Sequence, residues 1–584
     1  MGTERSSSSD EKKLIMEPLL SDNPNPKGGL RTMPFIIANE AFERVASIGL
    51  HSNMIMYLTR EYNLETTAAT IILFIWSAVT NLMPVLGAFI SDSYAGRYRM
   101  VGFGSIATLL GMVLLWLTTI IPDAKPPLCD PASSICEPPT ASQLLFLYSS
   151  LGFMSVGAGG IRSSSLAFGA DQLNNREDNL QNAGILQRYF SWYYVAVSVS
   201  SMFAVTCIVY IQDKLGWKVG LGVPAALMLL SVLSFFLASS FYVKLKAKTS
   251  LLTGLAQVIV ASYKNRHMKS PSQATDDNIY HIRKKSMLLL PSEKLSWLNK
   301  ACIVRDPQQD LTSDGRATNP WSLCTVDQVE ELKALIKVIP LWSTGIIIGV
   351  TLDQHSFPIQ VSTMDRKITS NFEIPPGSFG IFMIITVILW IALYDRIIIP
   401  LASKLSGKST YLSLKKRLGI GLFCSSASMA AWAIVETFRR EIAIKEGFSD
   451  DPRAVINMSS MWLLPHLVLG GLAMAFNTIG QSQFYYTELP RSMASISSTL
   501  LGIGSSTASL VSSFIINVVD KVTRSGGKES WVSANINKGH YDYYYWLLAG
   551  LSMANFIYFL VCSKAYGPCE DEGKEKDNTI TEEH

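Results

Sequence analysis

Glu40, Glu43 and Arg44 stand together inside the first apolar stretch of the chain, residues 33–59. Spacings of three and four put all three on one helix face, close enough to pair. Ionisable groups in a lipid-embedded helix are costly unless they face a polar interior, so the cluster points to a path for ions or protons. A carboxylate beside a guanidinium in low dielectric gains or loses a proton as its partner moves. That is the chemistry of proton movement coupled to conformational change. The plainer alternative is a structural ion pair that locks two helices.

The elements that must position this cluster are helices in a bilayer. Hydrophobic residues make up 48% of the chain and charged residues 16%, and mean hydropathy is +0.24. That balance fits a membrane protein. Apolar runs of about 20 residues, enough to cross a bilayer core, recur roughly twelve times. They fall at residues 33–59, 67–90, 101–121, 144–168, 189–211, 219–243, 332–352, 379–400, 418–438, 461–485, 497–522 and 544–562. The expected fold is an all-α membrane protein of about twelve transmembrane helices in two six-helix bundles. Residues 33–243 form the first bundle and 332–563 the second. A central cytoplasmic loop, 244–331, joins them, and a disordered cytoplasmic N-terminus (1–32) and a cytoplasmic tail (564–584) flank them.

Basic residues cluster in the central loop and in two shorter loops, at Arg97 with Arg99 and at Lys415-Lys416-Arg417. By the positive-inside tendency these loops, and both chain ends, are cytoplasmic. The polar, Ser-rich start is not read as a cleaved signal peptide. A net charge of +4, scattered over loops, gives no nucleic-acid surface. Eight cysteines form neither a disulfide framework nor a metal pattern. Cys129 and Cys136 share one outward loop where an oxidising compartment would permit a bridge, and whether they form one stays open. Asn457-Met458-Ser459 is an outward sequon close to the next helix, which disfavours its use. No metal cluster, nucleotide loop or nucleophile constellation supports an enzyme, and no cofactor is expected.

Between the second and third spans, Gly87, Asp92, Gly96 and Arg97 occur at set offsets. This segment resembles the major facilitator superfamily loop, in which glycines permit a tight turn and an Asp with Arg clamps a neighbouring helix; an ordinary positive-inside loop is the alternative. Glu40-x-x-Glu43-Arg44 resembles the ExxER motif of the proton-coupled oligopeptide transporter family, whose plant branch is the nitrate transporter/peptide transporter family (NPF). Gly157-Ala158-Gly159-Gly160-Ile161-Arg162, Phe168-Gly169-Ala170-Asp171-Gln172, Asn319-Pro320-Trp321, Tyr394-Asp395-Arg396 and Asn537-Lys538-Gly539 resemble further family segments in the same order. The resemblance spans nearly the whole chain. It implies alternating access between two halves, with Glu40, Glu43 and Arg44 coupling proton entry to the cycle.

Arg162 stands where most members of that family carry Lys. A guanidinium stays charged and offers a planar fork to carboxylate, sulfate or nitrate, so it favours anion binding over proton release; pairing with Glu40 or Glu43 is the compatible alternative. Three departures bear on substrate. Met474 stands where members commonly have a Glu that pairs with the fourth-span cation or meets a peptide amine, which argues against peptides and leaves more positive potential for an anion. Leu352 stands where the family's dual-affinity nitrate transporter has a nitrate-binding His. His355, one turn on, is a possible substitute, although a satisfied helix-end histidine is the plainer reading. Met100 replaces that transporter's phosphorylated Thr. Phe476 and other aromatics, among them Phe42, Trp76, Tyr193, Tyr194, Trp342 and Tyr485, could line a roomy pocket or simply pack.

The expected function is proton-coupled symport of nitrate. The alternatives are symport of a larger organic anion, such as a hormone or glycosylated metabolite, or sensing of nitrate or hormone through a cytoplasmic regulator at the central loop. Expected partners are a small-molecule anion, protons and the lipid bilayer. The plasma membrane is the expected site, with the vacuolar membrane as the alternative because Asp10-Glu11-Lys12-Lys13-Leu14-Ile15 resembles an acidic dileucine signal.

Overall fold

The computed structural model describes residues 28–127, 137–173, 179–245, 251–268, 280–282, 290–312, 314–370, 372–398, 400–401, 404, 413–490 and 493–567. Cys129, Cys136, Arg283-Lys284-Lys285 and the dileucine-like segment lie outside the described residues. Among the described residues twelve main helices follow one another: α1 (Met33–His51), α2 (Thr66–Ile90), α3 (Arg97–Leu117), α4 (Ala141–Leu173), α5 (Asn179–Phe203), α6 (Trp217–Leu237), α7 (Val326–Leu352), α8 (Gly380–Leu393), α9 (Leu414–Lys445), α10 (Leu464–Glu488), α11 (Ala494–Thr523) and α12 (Tyr541–Tyr566). Eleven of them lie in segments long and apolar enough to cross a membrane. The twelfth, α1, carries the charged cluster.

Large apolar side chains such as Leu229, Leu230 and Leu233 on α6 and Ile388 and Leu389 on α8 are exposed. A soluble protein would bury most of such a surface, whereas lipid-facing helices need it. Inside the first half, α3 and α4 pack through small residues. A Cβ on Gly104 would meet the Gly157 carbonyl at 2.7 Å, so the backbones touch where glycine permits. Pro84, Pro224 and Pro340 sit inside α2, α6 and α7, and packed neighbours in a bundle make such interruptions tolerable.

Two boundaries depart from the apolar runs. The first run divides into α1 and a short helix, Met54–Arg60, at a point where the backbone of Gly377 packs against the Ser52 carbonyl. The seventh helix starts at Val326, before the apolar run, because Thr325 and Gln328 form a reciprocal capping box. The central segment is also more than a solvated loop. Its helix Leu251–Lys264 buries Val258 and Ala261 with Leu298, Ala301, Cys302, Cys324 and Val329 in one apolar cluster against the second half.

The two halves meet along α2 and α11, where the Ser506 hydroxyl donates to the Ala78 carbonyl at 2.8 Å. At the end remote from the central segment they also close on each other. Thr67 donates to the Val532 carbonyl at 3.0 Å, Ser378 to the Val205 carbonyl at 2.7 Å, and Arg524 pairs with Glu65.

Candidate functional site

The face of α1 that turns inward carries Glu40, Glu43, Arg44, Ser47 and His51 in successive turns. Glu40 and Glu43 are buried, at 1% and 0% exposure. Arg162 on α4 donates from Nε and Nη2 to the two carboxylate oxygens of Glu43, at 3.2 and 2.8 Å. Such a fork is among the stronger charge-assisted pairs. The Ser47 hydroxyl donates to the same carboxylate at 2.6 Å. Arg44 pairs with Glu40 at 3.1 Å one turn back on its own helix. The second carboxylate oxygen of Glu40 has no hydrogen-bond partner among the described residues. The cluster is therefore two linked pairs, Glu40–Arg44 within α1 and Glu43–Arg162 between α1 and α4.

Both arginines reach a cavity of about 600 Å³ between the halves, walled by Trp76, Trp342, Met383, Met474 and Leu352 as well as by Asn81, Asn477 and Gln481. A second cavity of about 640 Å³ shares Arg44, Asn81 and Arg162 with the first and runs past Ser498 and Thr499 to Leu245 and Leu252 at the start of the central segment. Together they form a passage toward the central-segment end, with Arg44 and Arg162 at its midpoint. Among the described residues lining the first cavity, Asp353 is the one carboxylate.

Asp353 stands at the closed end of the cavity. Ser77 on α2 and Ser509 on α11 donate to its Oδ2 at 3.2 and 3.1 Å. His51 and His355 bring ring nitrogens to 3.7 and 3.8 Å from its Oδ1. His355 lines a smaller cavity of about 210 Å³ on the far side of this cluster, not the main one.

The loop after α2 is shaped by two glycines and by Arg97. Gly96 adopts φ +78°, a region that glycine tolerates at little cost. A Cβ on Gly87 would fall 2.4 Å from the Gly159 carbonyl. Arg97 approaches Asp92 at 3.5 Å and donates from Nη1 to both carboxylate oxygens of Asp171 on α4, at 2.7 and 2.8 Å.

Arg44, Arg162, Leu352 and Met474 thus line one passage, with Glu40 and Glu43 buried and paired to its two arginines and His355 just beyond it. Phe476 is not in the cavity wall. It is buried against Trp390, with ring centroids 4.8 Å apart. Two residues on from Met474 in a helix, it points to a different face. Of the other aromatics, Trp76 and Trp342 line the cavity, Tyr485 is buried in the core of the second half and Tyr194 is exposed. Sequence reasoning passed over His51 and Asp353. His51 follows Arg44 by seven residues, two turns along the same face, so helical spacing could have found it. Asp353 had no such signal.

A family model described as the POT family matches residues 98–532. Protein NRT1/PTR FAMILY 1.2 of Arabidopsis thaliana is 52% identical over 558 residues, covering 94% of this chain and 92% of that protein. NRT1/PTR FAMILY 2.13 of the same plant is 38% identical over 569 residues, covering 95% and 90%. The fold also resembles solved transporters at low identity. An auto-inhibited POT family peptide transporter superposes with TM-score 0.68 at 17% identity, covering 92% of this chain and 98% of that one. A POT family transporter in complex with 5-aminolevulinic acid superposes with TM-score 0.59 at 13% identity, covering 93% and 99%. The chain is a multi-pass membrane protein that belongs to the POT family of transporters, on its NRT1/PTR branch.

Proposed function

We propose that this chain is a proton-coupled symporter that carries nitrate by alternating access. The observation that supports it is the fork between buried Glu43 and Arg162, whose guanidinium lines a cavity that Met474 also lines. While Glu43 is ionised it occupies the guanidinium. A proton on Glu43 cancels its charge and frees the Arg162 fork for an anion, so proton and anion enter the site together. Loss of both ligands restores the pair. The Arg97–Asp171 clamp links α3 to α4, the helix that carries Arg162, and so joins the site to the moving loop. With the central segment cytoplasmic by its basic residues, the passage described is the cytoplasm-facing state, and the contacts of Thr67, Ser378 and Arg524 are the outer closure.

Cavity size favours a second reading. A volume of about 600 Å³ with two Trp and two Met in its wall is that of a drug-sized ligand site. A larger organic anion would fill it, where nitrate would occupy a corner beside Arg162. We place the protein in the plasma membrane.

The test is labelled nitrate uptake in oocytes at mildly acidic and at neutral external pH, with surface expression measured. Acid-stimulated uptake abolished by Glu43→Gln and by Arg162→Ala supports nitrate symport. Absence of uptake by surface-resident protein sinks the nitrate reading, and accumulation from a mixture of organic anions then supports the second one. A nitrate response without net flux would instead mark a sensor.

A further inference from the structure

We propose that His51, Asp353 and His355 form a divalent transition-metal site, suited to zinc, whose ligands come from both halves of the protein. One ligand atom of each residue lies within 4.8 Å of the others. The two nitrogen-to-carboxylate separations are 3.7 and 3.8 Å. Zinc bonds of about 2.0–2.1 Å to nitrogen and oxygen in a tetrahedron set ligand atoms roughly 3.4 Å apart. Small side-chain rotations therefore close the site around an ion.

An independent observation points the same way. The His355 side chain is only 6% exposed, yet its Nε2 has no hydrogen-bond partner among the described residues. A buried ring nitrogen aimed at a carboxylate and another imidazole is poorly served by either as it stands. A metal ion would satisfy it, since neutral imidazole is a good zinc ligand. Asp353 is prepared as a ligand as well. Its Oδ2 takes both serine hydroxyls, from Ser77 and Ser509, and leaves Oδ1 toward the histidines. Such outer partners orient a ligating carboxylate.

Access is open. His51 and Asp353 line the main cavity, with side chains 33% and 31% exposed, so an ion and a water as fourth ligand can arrive through the passage. His51 belongs to α1 in the first half, whereas Asp353 and His355 follow α7 in the second. An ion bound there ties the halves together at their closed end.

The experiment is equilibrium dialysis of the purified full chain in detergent against labelled zinc, with competition by cobalt. Saturable binding of one zinc per chain is expected. Outer partners alone are worth about 10–100-fold in metal affinity, so His51→Gln, His355→Gln and Asp353→Asn should each weaken binding by about tenfold or more. His51→Cys, which restores a ligand, should retain it. Each variant is first checked for monodispersity and for a wild-type thermal midpoint without zinc. If Asp353→Asn does not fold, the His51→Gln and His51→Cys pair decides. No saturable binding by the wild type overturns the site, and unchanged binding by His51→Gln overturns a site shared between the halves.

Discussion

Replacing Glu43 by Gln keeps the side chain's size and removes the charge that holds Arg162. On the proposed mechanism an anion has to displace a carboxylate that accepts two guanidinium hydrogen bonds, at 3.2 and 2.8 Å. Hydrogen bonds to charged groups contribute about 1.5–3 kcal/mol each, and a neutral amide accepts much more weakly. Taking one such bond as the net competition, Glu43→Gln should raise anion affinity at neutral pH by about 10- to 150-fold. The sign with pH follows from the same geometry. Wild-type affinity should rise as pH falls, because protonation would free Arg162, whereas the variant should already sit at the acid value and stay there. The assay is labelled nitrate binding to purified protein in detergent at mildly acidic and neutral pH, beside uptake in oocytes. Binding should persist in Glu43→Gln while acid-stimulated uptake is lost, and Arg162→Ala should lose both. Parallel pH profiles for wild type and Glu43→Gln, or a variant that binds less than wild type at neutral pH, would refute the competition between carboxylate and anion.

Three other outcomes are expected. Gly87→Ala drives a methyl to 2.4 Å from the Gly159 carbonyl and should cost about 1–3 kcal/mol by overpacking, read as a lower thermal midpoint; Gly152→Ala, with nothing within 4 Å, should not lower it. Glu436 and Arg439 on α9 form a fully buried pair at 2.8 Å, so Glu436→Gln leaves an uncompensated guanidinium and should cost about 3–5 kcal/mol; a midpoint equal to wild type would show that Thr363, Asn537 and the Ile536 carbonyl suffice to hold Arg439. Burial pushes the thiols of Cys302 and Cys324 up to about 12, so neither is a thiolate at neutral pH, and maleimide should modify both only after denaturation, as read by peptide mass spectrometry.

Twelve spans could be read along the chain because lipid imposes a local rule, about 20 apolar residues for each crossing, that needs no knowledge of neighbours. The Glu40, Glu43 and Arg44 face was legible for the same kind of reason, since helical spacing is local. So was the loop at Gly87, Asp92, Gly96 and Arg97, whose turn needs glycine where the structure has positive φ and close backbone approach. Local rules also limited the reading. The apolar run missed the polar capping box that starts α7 at Val326, and counting Phe476 among the residues that could line the pocket overlooked the 3.6-residue period that turns it from the face of Met474.

Pairing between distant segments was decided only by packing. That Arg162 would take Glu43 while Arg44 took Glu40, and that Arg97 would reach Asp171, follows from how α1, α3 and α4 pack together, with α3 meeting α4 across glycines. Asp353 gained its meaning from Ser77, 276 residues away, and from His51 and His355. A charge on a lone span states only that it needs a partner; which partner it finds depends on helix crossings that no single segment encodes.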